Sequence, residues 1–435
     1  MFKTLRDAWS IAEIRKKLLY TLLMLLIFRL GSAVVVPFLD TSTVSTWMAS
    51  NATGGNFLEY LDIITGGALS QATVFSLSIT PYINASIIMQ LLTYALPPLE
   101  RMRDEGEEGQ KKLNKITAAV SLALSVFMSF AYYLTLKNQM NAVVDGGSKA
   151  ANVFIAFVII LSFIAGTSIV VWMGNQINDK GIGNGISMLL FAGILARFPV
   201  MAGTLGELTK NEPQRYFFES LGILILFIAM IAFIVFMNAS ERRIPIQYAK
   251  RVVGRKQYGG QSTHIPVKVC MSGVMPIIFA SSILSLPQTI SMFWHPESGS
   301  VGAHILNLFS QTSVFYIVLY ALLILAFAYF YASIQFNPIE IANNLKKNGG
   351  FIPGFRPGKP TSDFITKALG KVTFVGAVFL GIVALVPLIV GAISTNLSNV
   401  ALGGTSVIIV VGVALDTVKQ MEAQMLMRHH KGFLE

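Results

Sequence analysis

The chain has 435 residues, 54% of them hydrophobic and only 13% charged, with a net charge of +11; a soluble globular domain carries about 25% charged residues. That composition excludes a disordered chain, a coiled coil and an ordinary cytosolic enzyme. A single cysteine, Cys270, excludes a disulfide framework or a multi-cysteine metal site. The chain reads as a multi-span membrane protein.

In chain order, residues 1–17 come first, where Phe2, Leu5, Trp9 and Ala12 share one helical face, as an interfacial helix would have. Ten stretches then approach the ~20 apolar residues needed to cross the hydrocarbon core. They are 18–36, 79–96, 116–136, 153–173, 186–201, 220–237, 269–292, 315–336, 372–392 and 400–415. Segment 57–70 is apolar but too short to span, carries Glu59 and Asp62, and contains Gly66-Gly67. Period-2 alternation is absent, which argues against a β-barrel. The expected fold is all-α, with ten transmembrane helices. Residues 18–210, including segment 57–70, form a first five-helix half and 211–420 a second; 421–435 is a tail. An odd number of spans per half makes the halves inverted with respect to each other, an arrangement common in transporters.

Lys and Arg set the orientation. The segments facing the side of the N-terminus hold 27 of the 33, the other connections 5, and Arg29 lies inside the first span as the one charge deep in a span. By the positive-inside rule both termini are cytoplasmic, and the net charge is a cytoplasmic basic surface, not a nucleic-acid footprint. Arg29 is expected to meet a backbone carbonyl or a polar neighbour inside the bundle.

The ten stretches contain no Asp or Glu, which weakens ion-coupled transport. His264, His295, His304, His429 and His430 all fall in loops or the tail, and HExxH, Walker and GxSxG motifs are missing. No enzyme activity, metal or cofactor is expected, so any energy source must come from a partner.

Two cytoplasmic connections, 238–268 and 337–371, are long and basic. The first holds Tyr248-Ala249-Lys250-Arg251, Arg255-Lys256 and Gln261-Ser262-Thr263-His264; the second holds Asn337-Pro338 and the run 350–358. Gly and Pro at 353–358 form a turn with Arg356 at its tip, suited to phosphate or carboxylate on a docking macromolecule. By composition alone such loops are basic simply because they stay inside.

With Phe28-Arg29-Leu30-Gly31, Gly66-Gly67-Ala68-Leu69-Ser70, Pro81-Tyr82-Ile83-Asn84-Ala85-Ser86-Ile87-Ile88, Gly181-Ile182-Gly183-Asn184-Gly185-Ile186-Ser187 and Gly403-Gly404-Thr405-Ser406, these strings lie in order along nearly the whole chain. Together they resemble the SecY/Sec61-alpha family of protein-conducting channels. The resemblance implies a protein of the bacterial plasma membrane with a central hourglass pore between the two halves. Its apolar ring falls on Ile79, Ile83, Ile186, Leu190, Ile278 and Ile409, where Leu190 replaces a common isoleucine. Read from the residues alone, such stripes are more often lipid-facing or core packing. The resemblance assigns the plug to 57–70, with Phe57, Leu58, Tyr60, Leu61, Ile63, Ile64 and the Gly66-Gly67 hinge; an ordinary re-entrant loop is the rival. It implies a lateral gate bordered by Asn84, Ser86 and Ile87, residues that could equally serve interhelical packing, and docking of the SecA motor or the ribosome at Arg251, Arg255, Lys256 and Arg356. Implied partners are SecE and SecG subunits, SecA, the ribosome, signal-bearing preproteins, nascent membrane proteins and membrane lipids. A secondary transporter of small solutes with inverted repeats is the alternative, and a non-conducting assembly protein a third class.

Overall fold

The computed structural model describes all residues except 1, 51–56, 212, 249–250, 254–255, 259–261, 272, 292–301, 303–305, 307, 311–312, 394–397 and 432–435. Its elements are α1 (Phe2–Ser10), α2 (Ala12–Gly31), α3 (Thr41–Ser50), α4 (Phe57–Ile64), α5 (Thr80–Ala95), α6 (Pro97–Asp104), α7 (Glu107–Asn138), α8 (Lys149–Lys180), α9 (Gly185–Asn211) and α10 (Pro213–Ala239). Four strands follow, β1 (Glu241–Tyr248), β2 (Arg251–Val253), β3 (Lys256–Tyr258) and β4 (Ser262–Lys268). The chain closes with α11 (Met275–Ser291), α12 (Val314–Gln335), α13 (Pro338–Lys347), β5 (Gly350–Phe351), α14 (Lys359–Ile393) and α15 (Ser398–Lys431).

Each of the ten expected stretches coincides with a helix: α2, α5, α7 to α12 without a break in number, α14 and α15. Among the described residues, windows within 107–138, 149–180, 314–347 and 359–390 are long and apolar enough to cross a membrane, with mean hydropathy of 1.7 to 2.7. Others fall short for visible reasons. In α2 the cations Arg15, Lys16, Lys17 and Arg29 crowd a 20-residue helix. α5 has only 16 residues, because regular helix starts at Thr80, with Pro81 in its first turn.

The helix faces tell the same story. Along α8, Ile155, Ile159, Phe163, Val170, Met173 and Ile177 are buried, while Val153, Phe154, Phe157, Leu161, Ile169 and Trp172 are exposed. A helix apolar on both faces, with large side chains outward in quantity, belongs in lipid. α2 does likewise with Leu19, Leu22, Leu23, Leu26 and Leu30.

The chain divides into two compact units, one formed by Met1–Ile225, Ser282–Ile317 and Pro387–Glu435, the other by Leu226–Ser281 and Val318–Val386. In the first unit α7 packs on α5 and α8, and α9 packs on α2, α4, α8 and α15. Thr117, Ser121, Ser125 and Ser129 recur every four residues on α7 and are buried; such small side chains let helices approach closely. The N-terminal arm is tied down as well. α1 packs on α2 and α15, with Ala8, Ile14, Ile182 and Met421 in one apolar cluster. Helix α2 starts at Ala12, six residues ahead of the expected span, and Trp9 and Ala12 remain exposed.

The second unit adds a small sheet that periodicity in the sequence did not announce. β1 pairs antiparallel with β4 over Glu241–Gln247 and Lys268–Ser262, and β5 pairs with β1 on its other edge, giving the order β4-β1-β5. β2 and β3 form a separate hairpin. Ile244, Val267, Phe336, Ile352, Ile365 and Leu369 make the core beneath the sheet.

Candidate functional site

The chain between α4 and α5 is irregular backbone set inside a bundle of apolar helices, and at that depth its polar groups must be satisfied by protein. They are. Thr73 Oγ1 and Ser76 Oγ donate to the Ala68 carbonyl at 3.1 and 3.0 Å, and Tyr132 Oη on α7 donates to the Leu69 carbonyl at 2.9 Å. Val36 and Val74 close backbone bonds with Ala72 and Val34. Gly166 on α8 lies against the Val74 carbonyl so closely that a Cβ there would collide with it.

Segment 57–70 is helical only over Phe57–Ile64. Leu58 and Leu61 pack into a cluster with Val36, Val44, Leu69, Tyr132 and Phe163, whereas Ile64 packs into a second cluster built on Met24, Phe28, Ile79, Met173 and Leu190. The helix thus bridges two apolar cores. Ile63 is buried; the side chains of Phe57 and Tyr60 lie outside the described residues. Gly66 and Gly67 both take positive φ, +72° and +87°, which a side chain at either position would strain. A Cβ on Gly66 would also stand 2.5 Å from the Gly193 carbonyl, so α4 and α9 approach each other backbone to backbone.

Two arginines fasten this turn. Arg29 Nη1 donates to the Gly66 carbonyl at 3.2 Å and to Ser32 Oγ at 3.4 Å, the carbonyl and polar neighbour expected of it. Arg197 Nη2 on α9 lies 2.6 Å from Asp62 Oδ2, whose side chain is 2% exposed. Asp62 Oδ1 accepts from the Ser70 amide at 2.7 Å, and the Asp62 carbonyl accepts from the Gly67 amide at 2.8 Å. Arg29 is therefore not the one charge deep in a span. Arg197 falls within the stretch 186–201, and counting it with the connection that follows hid it. The signal available in the sequence was the two charges themselves, Arg197 in a span and Asp62 in the short segment, not their pairing.

Four of the expected ring residues meet in the first unit. Ile79 and Leu190 are buried in the second cluster, and Ile83 and Ile186 pack against it half-buried. Ile79 precedes α5 as its N-cap in a helical conformation, so the stripe Ile79, Ile83, Ile87 continues through the helix start. Ile409 is buried on α15, a helix that packs against α4 and α9. Ile278 is half-buried on α11 in the second unit. On α5, Asn84 and Ile87 are buried and Ser86 half-buried.

Of the expected docking residues, Arg356 is exposed on a turn where Gly354 and Gly358 take positive φ. Its carbonyl accepts from Thr361 Oγ1 at 2.8 Å, and its neighbour Phe355 stacks on Phe364 with ring centroids 4.2 Å apart, so the tip is braced. Arg251 and Lys256 begin the two strands of the β2–β3 hairpin; their side chains, and all of Arg255, lie outside the described residues. Among the described residues no group of three His, Cys, Asp or Glu could hold a metal.

The fold, with large apolar side chains facing outward on long helices, defines a helical integral membrane protein. The SecY family profile matches residues 73–418, and the chain belongs to that family. It is 42% identical to the protein translocase subunit SecY of Thermotoga maritima, over 100% of this chain and 98% of the relative. Two solved structures share the fold. One, described as a SecY protein whose plug domain stabilises the closed state of the translocation channel and maintains a membrane seal, aligns with a TM-score of 0.65 at 18% identity, over 94% of this chain and 92% of its own. The other, Sec61 in the canine ribosome-channel complex from the endoplasmic reticulum, aligns at 0.58 with 16% identity over the same shares.

Proposed function

We infer that this chain is a protein-conducting translocation channel, passing unfolded signal-bearing polypeptides across the bacterial plasma membrane and releasing membrane segments into lipid. The observation that carries this is full-length relatedness to a protein translocase subunit SecY. The ring residues are Ile79, Ile83, Ile186, Leu190, Ile278 and Ile409: a narrow apolar collar dewets, blocks ions and offers a passing chain no sticky polar group. Support comes from the meeting of four of them with Ile64 in one cluster. Segment 57–70 is the plug and seals the collar from the outer side. Asn84, Ser86 and Ile87 border the lateral gate.

Both termini are cytoplasmic, and the two five-helix halves divide near residue 210. The channel hydrolyses nothing; SecA or the ribosome drives it, docking on Arg251, Arg255, Lys256 and Arg356, with SecE and SecG as companion subunits. The ribosome reading is supported by the fold shared with Sec61 of a ribosome-channel complex. A small-solute carrier has less to stand on: the buried carboxylate Asp62 is already neutralised by Arg197.

The test is protease protection of a signal-bearing preprotein added to vesicles containing the channel and its SecE-type partner, with SecA and ATP outside. Protection that needs ATP and is lost in Arg356→Glu establishes motor-driven passage through that loop. Because Arg356 is exposed, the variant should keep the parent's thermal midpoint. Absence of protection with the folded parent overturns the reading.

A further inference from the structure

We propose that the Asp62–Arg197 ion pair is the latch holding segment 57–70 in its seat, and that both are positioning residues for the seal; this rests on the plug reading above.

The two oxygens of Asp62 divide their work. Oδ1 accepts from the Ser70 amide, and the Asp62 carbonyl accepts from the Gly67 amide, so both bonds stay within the 62–70 turn. Oδ2 alone reaches out of the turn, to Arg197 on α9. The turn is therefore a self-bonded module that can shift without undoing its own polar bonds. Its other polar fastenings run to neutral carbonyls, Gly66 from Arg29 and Leu69 from Tyr132. The ion pair is the fastening in which both sides carry charge.

Charge makes the latch two-state. Separating the pair inside the bundle strands the buried Asp62 carboxylate without the half-buried Arg197 guanidinium, which is strongly unfavourable. Moving the whole segment into water re-solvates both groups, so the full displacement is far less costly than a partial one. Intermediate positions are the penalised ones, and the segment is either seated or out. Gly193 supports this geometry, because its lack of a side chain lets α9 bring Arg197 within reach; a Cβ there would sit 2.7 Å from the Ile64 carbonyl.

The experiment is ion efflux from sealed vesicles holding the full-length chain with the subunits that purify with it, without substrate. Compared are the parent, Asp62→Asn, Arg197→Gln, the conservative Asp62→Glu, and a deletion of residues 57–65. Each single neutral variant should raise resting efflux about tenfold, the population shift expected when a buried charge-assisted bond is lost. Asp62→Glu should stay near the parent. Asp62→Asn as tight as the parent, beside a leaky deletion, overturns the latch and leaves the plug reading standing. A tight deletion overturns the plug reading itself. If Asp62→Asn fails to fold, Arg197→Gln decides, because it leaves the Asp62 bonds to the Ser70 and Gly67 amides in place: folded and leaky supports the latch, folded and tight overturns it.

Discussion

Tyr132 Oη donates to the Leu69 carbonyl across 2.9 Å, joining the middle of α7 to irregular backbone sixty-three residues earlier. The ring is buried and meets Phe163 of α8 with centroids 5.2 Å apart, so one side chain ties three parts of the first unit together. Tyr132→Phe keeps the ring and removes the donor. The Leu69 carbonyl keeps the Ala72 amide as a donor at 3.0 Å, so the loss is that of one hydrogen bond, about 0.5–1.5 kcal/mol. Thermal unfolding in detergent should show a slightly lower midpoint for this variant, and an unchanged midpoint would mean the hydroxyl contributes nothing beyond the Ala72 bond.

At Gly193 the prediction concerns volume. Its Cβ would come within 2.7 Å of the Ile64 backbone carbonyl, which cannot swing aside as a side-chain tip does. Gly193→Ala should cost about 1–3 kcal/mol as overpacking and lift α4 off α9. The reading is a raised resting efflux together with a lowered midpoint. A variant indistinguishable from the parent in both would contradict so close an approach of the two backbones.

For the proposed collar, polar substitution separates sealing from packing. Ile83 and Ile186 are half-buried, so Ile83→Asn or Ile186→Asn should cost about 1–3 kcal/mol through partial burial of an amide. Their effect on ion efflux should be large, because wetting of an apolar constriction is what such a change promotes. The same change at Val153, which is 70% exposed on α8, should leave efflux at the parent level.

The pH prediction rests on Asp40, outside the spans at the start of α3. Hydrogen bonds from the Ser42 and Thr43 hydroxyls and the Ser42 amide hold its carboxyl down from the ordinary 3.8 to about 2. A depressed acid stabilises the fold at pH above its unfolded value and loses that contribution as pH falls. Capping of α3 should thus be intact above about pH 4 and fade toward pH 2. Protection of the 41–44 amides, taken relative to their intrinsic exchange rates, should fall over that range, and Asp40→Ala should show the low protection at every pH.

The spans were legible because a bilayer imposes a length and a composition that nothing else imitates, and the helices fall where the apolar runs fall. The boundaries were less so. α2 begins at Ala12, since Arg15, Lys16 and Lys17 tolerate helix although they end the apolar run. The ring stripe was visible at a spacing of four on α5, but which residues join Ile83 depends on packing between elements distant in sequence. Asp62 and Arg197 are separated by more than 130 positions, and periodicity in one helix says nothing about a charge awaiting it in another segment. The β4-β1-β5 sheet went unread for a similar reason: Glu241–Tyr248 holds three charged residues and a proline, and gains its strand character from its partners.

That sheet has a mechanical meaning. Because β5 hydrogen-bonds to the edge of β1, the turn bearing Arg356 and the hairpin that leaves β1 are anchored to one stiff platform. A push delivered at the tip of one connection is felt at the root of the other. The connections therefore behave as a single handle with two grips, and a molecule that grasps either grip leans on the whole handle.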